Sequence, residues 1–158
     1  MDSDEWETPD KLFNFLNTKC GGFNLDVCAT AYNRKVPNYY DKAQNGLKQE
    51  WKGVCWCNPP YSKIEPWVDK AINETEPGPH TVVYMLIPAN TDTKYFSKVF
   101  KNACEIIFIK GRLKFKGEQN FPARFPNCIA IFDNAFSWDH PTYWLMDRDT
   151  FEVQKISD

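Results

Sequence analysis

Gly53-Val54-Cys55-Trp56-Cys57-Asn58-Pro59-Pro60-Tyr61-Ser62-Lys63-Ile64-Glu65 is the stretch on which the fold turns. Gly53 to Cys57 is a near-continuous apolar run, the pattern of a strand buried on both faces. Alternation sends Cys55 and Cys57 out on the same face. Ser62-Lys63-Ile64-Glu65 has the spacing of a capping box, and Pro66 is tolerated in a first helical turn. Ile64, Trp67, Val68, Ala71 and Ile72 then recur at i, i+3, i+4, i+7 and i+8, which predicts an amphipathic helix. The turn between strand and helix stands where open α/β sheets bind ligands.

Working outward, Thr8-Pro9-Asp10 reads as a helix start, with Thr8 as N-cap, Pro9 at the first helical position and Asp10 facing the dipole. Leu12, Phe13 and Leu16 give that helix one apolar face, and Gly21-Gly22 ends it. Phe23 to Val27 alternates as a strand, and Val36 to Tyr40 holds a second short one despite Pro37. Downstream, Pro77-Gly78-Pro79 closes the central helix and Thr81 to Ile87 is a buried strand. A helix from Thr93 carries Tyr95, Phe96, Val99 and Phe100, followed by strands at Ile106–Ile109 and Cys128–Phe132. Strands alternating with helices predict an α/β fold, a mostly parallel sheet flanked by helices, joined by right-handed crossovers. With 158 residues the chain is expected to be a single domain, 1–158. Its core would run from about residue 4 to 133, with the tail 134–158, including Trp138, Tyr143 and Trp144, packed on it.

Composition narrows the classes. An aromatic content of 16% argues against disorder. No apolar run approaches the roughly 18 residues of a membrane span, and Met1-Asp2-Ser3-Asp4-Glu5 is unlike a secretory leader, so a cytoplasmic protein without a membrane partner is expected. Cys20, Cys28, Cys55, Cys57, Cys104 and Cys128 are then expected as free thiols. With His80 and His140 the only histidines, Cys55-Trp56-Cys57 lacks a second ligand pair and no metal is expected. A net charge of −2 gives no sign of a polyanion partner. Lys110, Arg112, Lys114 and Lys116 nevertheless alternate, either as an edge-strand guard or as a ridge contacting phosphate, with Arg34, Lys35 and Lys42 as further cations.

Asn58-Pro59-Pro60-Tyr61 carries the chemistry. Two consecutive prolines donate no N–H and stiffen the turn, which fixes the directions of the Asn58 and Pro59 carbonyls. The Asn58 side-chain oxygen and the Pro59 carbonyl can both accept from one NH2 group, while Tyr61 offers a flat stacking face. Two acceptors on a delocalised aromatic amine favour a pyramidal nitrogen whose lone pair can attack an electrophile in line. The alternative is a strand-ending turn in which Asn58 merely satisfies backbone groups. Asp26, an acid at a strand's carboxyl end, either binds a ligand cation or caps its own turn.

This motif resembles the [DNS]-P-P-[YFW] signature of S-adenosylmethionine-dependent amino-methyltransferases. More narrowly, the chain resembles the phage-type DNA N6-adenine methyltransferases. The segments that carry the likeness are Asp4-Glu5-Trp6-Glu7-Thr8-Pro9, Leu25-Asp26-Val27-Cys28-Ala29-Thr30, Gly46-Leu47, Trp51, Asn58-Pro59-Pro60-Tyr61 and Gly111-Arg112-Leu113-Lys114-Phe115, in that order, from Asp4 to Asp133. The resemblance implies a Rossmann-like methyltransferase fold. It implies S-adenosyl-L-methionine as cofactor, S-adenosyl-L-homocysteine as product, and double-stranded DNA as partner of a monomer or homodimer in a bacterial host. It implies that Asn58, Pro59, Pro60 and Tyr61 hold a flipped adenine, with GATC a site that the family often modifies. Trp6, Thr8, Pro9, Asp26, Cys28, Ala29, Thr30 and Asn58 would bind the cofactor, and Lys110, Arg112, Lys114 and Lys116 would contact DNA. A glycine-rich F-x-G-x-G loop is absent, and Cys28-Ala29-Thr30 stands in its place. Two other readings remain at this stage: methylation of another planar amine (cytosine N4 or a protein glutamine), and a non-catalytic binding module that keeps the fold.

Overall fold

The structure, a computed structural model, describes Asp4 and residues 6–76, 80–116, 121–135 and 139–156. Met1, Asp2, Ser3, Glu5, the Pro77-Gly78-Pro79 stop and Trp138 lie outside the described residues.

The decisive stretch folds as its pattern requires. Strand β2 (Gly53–Cys57) pairs in parallel on one side with β1 (Leu25–Asp26) and on the other with β3 (Thr81–Pro88). Helix α2 (Ile64–Glu74) follows, burying Ile64, Trp67, Val68 and Ala71. It packs on α3 (Lys94–Asn102), which buries Tyr95, Phe96 and Val99 and is capped by the Thr93 hydroxyl accepting from Phe96 N–H. Beyond β4 (Glu105–Lys110) come a short hairpin of β5 (Lys114–Phe115) and β6 (Phe121–Pro122), then β7 (Asn127–Asp133).

Among the described residues one sheet has the order β1-β2-β3-β7-β4, extended by two further strands, β8 (Thr142–Asp147) and β9 (Val153–Lys155). β7 and β9 run against the other strands, so the sheet is mixed with a parallel majority. The tail does more than pack on the body: β8 pairs in parallel with β4 along Glu105–Lys110 and so covers its outer edge. An uncovered β4 would present a row of unpaired N–H and C=O groups.

Strand alternation splits the core into two layers. Cys55, Cys57, Val83, Met85 and Ile87 face α2 and α3. Trp56, Tyr84 and Leu86 face the other side, with Leu12, Phe13 and Leu16 of α1 (Asp10–Lys19). All six cysteines are free thiols, and burial pushes Cys55 up to about 12.

Four local expectations need correction. Helix α1 starts one residue late, with Pro9 rather than Thr8 at the cap. The Thr8 hydroxyl is buried and has no hydrogen-bond partner among the described residues. Ser62 does not cap α2, because its N–H and hydroxyl both go to the Asp4 carboxylate, at 2.9 and 2.5 Å. The strand expected over Phe23–Val27 is regular only at Leu25–Asp26, and the one over Val36–Tyr40 is reduced to a bridge between Tyr39 and Asp26. Pro37 removes the donor that a longer ladder would use.

Candidate active site

The carboxyl ends of β1, β2 and β3 and the amino end of the antiparallel β7 meet at one edge of the sheet, bringing Asp26, Asn58 and Asn127 to the same side. A cleft of about 260 Å³ opens beside β1 and β2. Trp6, Thr8, Asp26, Cys28, Ala29, Thr30, Asn58 and Pro60 all line it; Pro9, Pro59 and Tyr61 do not.

Asp26 is 2% exposed, and its carboxylate accepts from Cys28 N–H at 3.3 Å and Lys35 N–H at 3.0 Å. Burial dominates those bonds and the Lys35 charge, and pushes the carboxyl up to about 7. The residue therefore closes its own turn and also faces the cleft. Where a glycine-rich loop is absent, the close approach happens elsewhere. Gly46 is buried, and a Cβ there would run into the Val27 carbonyl oxygen and the Trp67 ring. The cleft wall after Ala29 is fixed by Thr30, whose hydroxyl accepts from Tyr32 and Asn33 N–H, and by Asn33, whose side-chain oxygen accepts from Thr30 N–H at 2.7 Å.

A strap formed by the N-terminal segment crosses the cleft. Asp4 holds Ser62, and the Trp6 carbonyl accepts from Asn58 Nδ2 at 3.0 Å. Glu7 and Lys116 exchange two backbone hydrogen bonds, at 3.3 and 3.0 Å, which adds the strap to the hairpin of β5 and β6. Lys35 Nζ, 8% exposed, lies 3.0 Å from Glu7 and 3.1 Å from Asp10, and Lys116 Nζ lies 2.6 Å from Asp10. Neither the Lys35 cluster nor the cleft positions of Asn33, Asp41, Lys42 and Asn45 were read from sequence. Only the Thr30-to-Asn33 spacing carried a signal, that of a side-chain-stabilised turn.

Asn58 is fixed by its donor end. With Nδ2 on the Trp6 carbonyl, its Oδ1 and the Pro59 carbonyl accept no hydrogen bond among the described residues. Tyr61 is half-buried beside them, its ring edge-on to Trp6, Phe115 and Phe125, with centroids at 6.5, 6.1 and 5.5 Å.

The expected basic row is broken. Gly111, at φ +93°, turns the chain between β4 and β5, so Lys110 and Lys114 stand on different strands. Lys110, Arg112 and Lys114 are exposed, whereas Lys116 is held by Asp10 and Glu7. Lys35 and Lys42 line the cleft rather than extend the row.

A family model described as DNA N-6-adenine-methyltransferase (Dam) matches residues 1–139. The chain belongs to the Dam family. A DNA N-6-adenine-methyltransferase of Haemophilus phage HP1 is 37% identical over 142 residues, covering 84% of this Dam-family chain and 80% of its own. Another from Escherichia phage T1 is 36% identical over 113 residues, covering 70% of the chain and 46% of the phage protein. Among solved structures, a class I S-adenosylmethionine-dependent methyltransferase from Listeria monocytogenes superposes with a TM-score of 0.57 at 14% identity, covering 96% of the chain and 68% of its own. A modification subunit of a type I restriction enzyme from Vibrio vulnificus gives 0.56 at 12% identity, covering 92% and 47%. The Dam-family chain therefore has the Rossmann-like fold of class I methyltransferases.

The cleft suits the cofactor of that class. Asp26 is a buried carboxyl at the cleft, chemistry that fits an ammonium, and the Thr8 hydroxyl, without a hydrogen-bond partner among the described residues, fits a polar ligand atom. Among the described residues no group of three or more His, Cys, Asp or Glu could hold a metal ion, and no helix is long and apolar enough to cross a membrane.

Proposed function

We propose that this chain methylates the exocyclic N6 of an adenine flipped out of double-stranded DNA, using S-adenosyl-L-methionine. The observation that carries the reading is Asn58, whose donor end is spent on the Trp6 carbonyl so that its acceptor end is free for an amine.

In this reading Asp26, Thr8, Trp6 and the Cys28–Thr30 turn hold the cofactor, with Pro9 fixing the strap that leads into α1. Bound there, S-adenosyl-L-methionine supplies an electrophilic methyl carbon and leaves as S-adenosyl-L-homocysteine. Asn58 Oδ1 and the Pro59 carbonyl accept the two N6 hydrogens and direct the nitrogen lone pair along the line of attack. Pro60 keeps the turn rigid. No strong base is required before attack, since the proton is lost only after the nitrogen has become cationic.

Adenine cannot present N6 in this way from within the stack, so the base is extruded at a cost of a few kcal/mol. Stacking on Tyr61 returns about 1–3 kcal/mol of that. The exposed Lys110, Arg112 and Lys114 hold phosphate, with Lys116 joining if DNA draws it from Asp10. The chain acts as one methyltransferase unit, 1–158, in the cytoplasm of a bacterial host.

The test is nucleoside mass spectrometry of duplex DNA incubated with the protein and labelled cofactor, beginning with duplexes containing GATC. N6-methyladenine is the expected product. Its absence, or N4-methylcytosine in its place, sinks the proposal.

A further inference from the structure

Asn127, the first residue of β7, is 1% exposed and reaches Tyr61 from behind the motif. Its Nδ2 donates to the Tyr61 hydroxyl oxygen at 3.3 Å and to the Ile87 carbonyl at 3.4 Å. The same hydroxyl donates to the Leu86 carbonyl at 3.4 Å. Burial pushes the phenol well above its ordinary value, so it stays protonated and can donate and accept together. The tip of Tyr61 is thus tied to two strands that are paired to each other through Ile87 with Cys128 and Pro88 with Asn127.

Packing alone does not account for an amide here. Asn127 Oδ1 is buried without a donor among the described residues, a penalty that a leucine of the same branched shape would avoid. What the amide adds is the bond to Tyr61. A tyrosine ring anchored only at its Cβ swings about its side-chain torsions, whereas one anchored at both ends presents a fixed face.

We propose that Asn127 is a positioning residue that fixes the Tyr61 ring for stacking on the target base. This rests on the adenine-methyltransferase reading above. The tie acts on the DNA side of the reaction and leaves the cofactor cleft untouched, since neither Asn127 nor Tyr61 lines it.

The test is steady-state kinetics of the full chain on duplex DNA for wild type, Asn127→Leu, Tyr61→Phe and the double variant. Each single variant is expected to lower kcat/KM for DNA about three- to tenfold, the effect of one hydrogen bond, with KM for S-adenosylmethionine unchanged. The loss in the double variant should fall short of the product of the two single losses, because both remove the shared Asn127–Tyr61 bond. Losses that multiply in the double variant, or an equal rise in KM for the cofactor, overturn the role. Tyr61→Phe removes a single oxygen and opens no large cavity; if it leaves kcat/KM for DNA unchanged, it overturns the role even where Asn127→Leu fails to fold. If the wild type forms no N6-methyladenine, the underlying reading falls and this one falls with it.

Discussion

At the scale of single residues, Asn58 and Asp26 make opposite demands on their surroundings. Asn58→Ala removes both the acceptor for the attacking amine and the donor that holds the Trp6 carbonyl. It is expected to cut kcat by about 100-fold or more, with a smaller loss of cofactor affinity from the loosened strap, which single-turnover methylation beside calorimetry would measure. Asp26 holds its proton up to about pH 7 in the ligand-free protein. An ammonium facing it favours the ionised form, so cofactor affinity is expected to fall as pH drops through that value, approaching tenfold per unit below it. Calorimetry one unit either side checks this, and Asp26→Asn should flatten the profile. The sign for stability is the reverse. A carboxyl raised from 3.8 to about 7 favours the ligand-free fold at low pH, a contribution lost as pH rises between those values. Asn58 was legible because two prolines and a strand end fix it locally. Asp26 was legible as a strand-end acid, and of the two roles that the sequence had left as alternatives it fills the turn cap, while facing the cleft. Lys35 was not legible, because its partners Glu7 and Asp10 lie 28 and 25 residues away and nothing local announces them.

Elements were legible where one pattern dominated. The apolar runs of β2, β3 and β7 and the helical period of α2 are each decided by burial within the segment. β8 was read as packed tail because its residues are mostly half-buried, so its period is blurred; β4 alone aligns it. The cap of α2 failed for a different reason: the strap competes for it, with Asp4 taking Ser62. Gly46 sits at the tightest crossing between loops. Gly46→Ala must displace the Val27 backbone, and is expected to destabilise by about 1–3 kcal/mol, lowering Tm by several degrees. Cofactor affinity should fall as well, since Val27 and Gly46 both line the cleft, and thermal unfolding with and without ligand separates the two effects.

For the whole molecule, a net charge of −2 leaves the proposed hold on DNA to exposed cations such as Lys110, Arg112 and Lys114 beside the hairpin. With Lys110, Arg112 and Lys114 on phosphates, log K is expected to fall with log[salt] at a slope of about −3. A salt titration by anisotropy checks this, and a slope beyond about −6 would reveal a basic face not assigned above. Little of this was visible in the alternating lysines alone, since the Gly111 turn and the Asp10 contact redistribute them. The strap has one more consequence, which belongs to synthesis rather than catalysis. Asp10 leaves the ribosome 106 residues before Lys116, the partner that pins it. At about 5–20 residues per second, this contact stays unmade for roughly 5–20 s on every nascent chain, while Lys35 already reaches Asp10. The last side of the strap's frame is thus added only when the hairpin has been made to receive it.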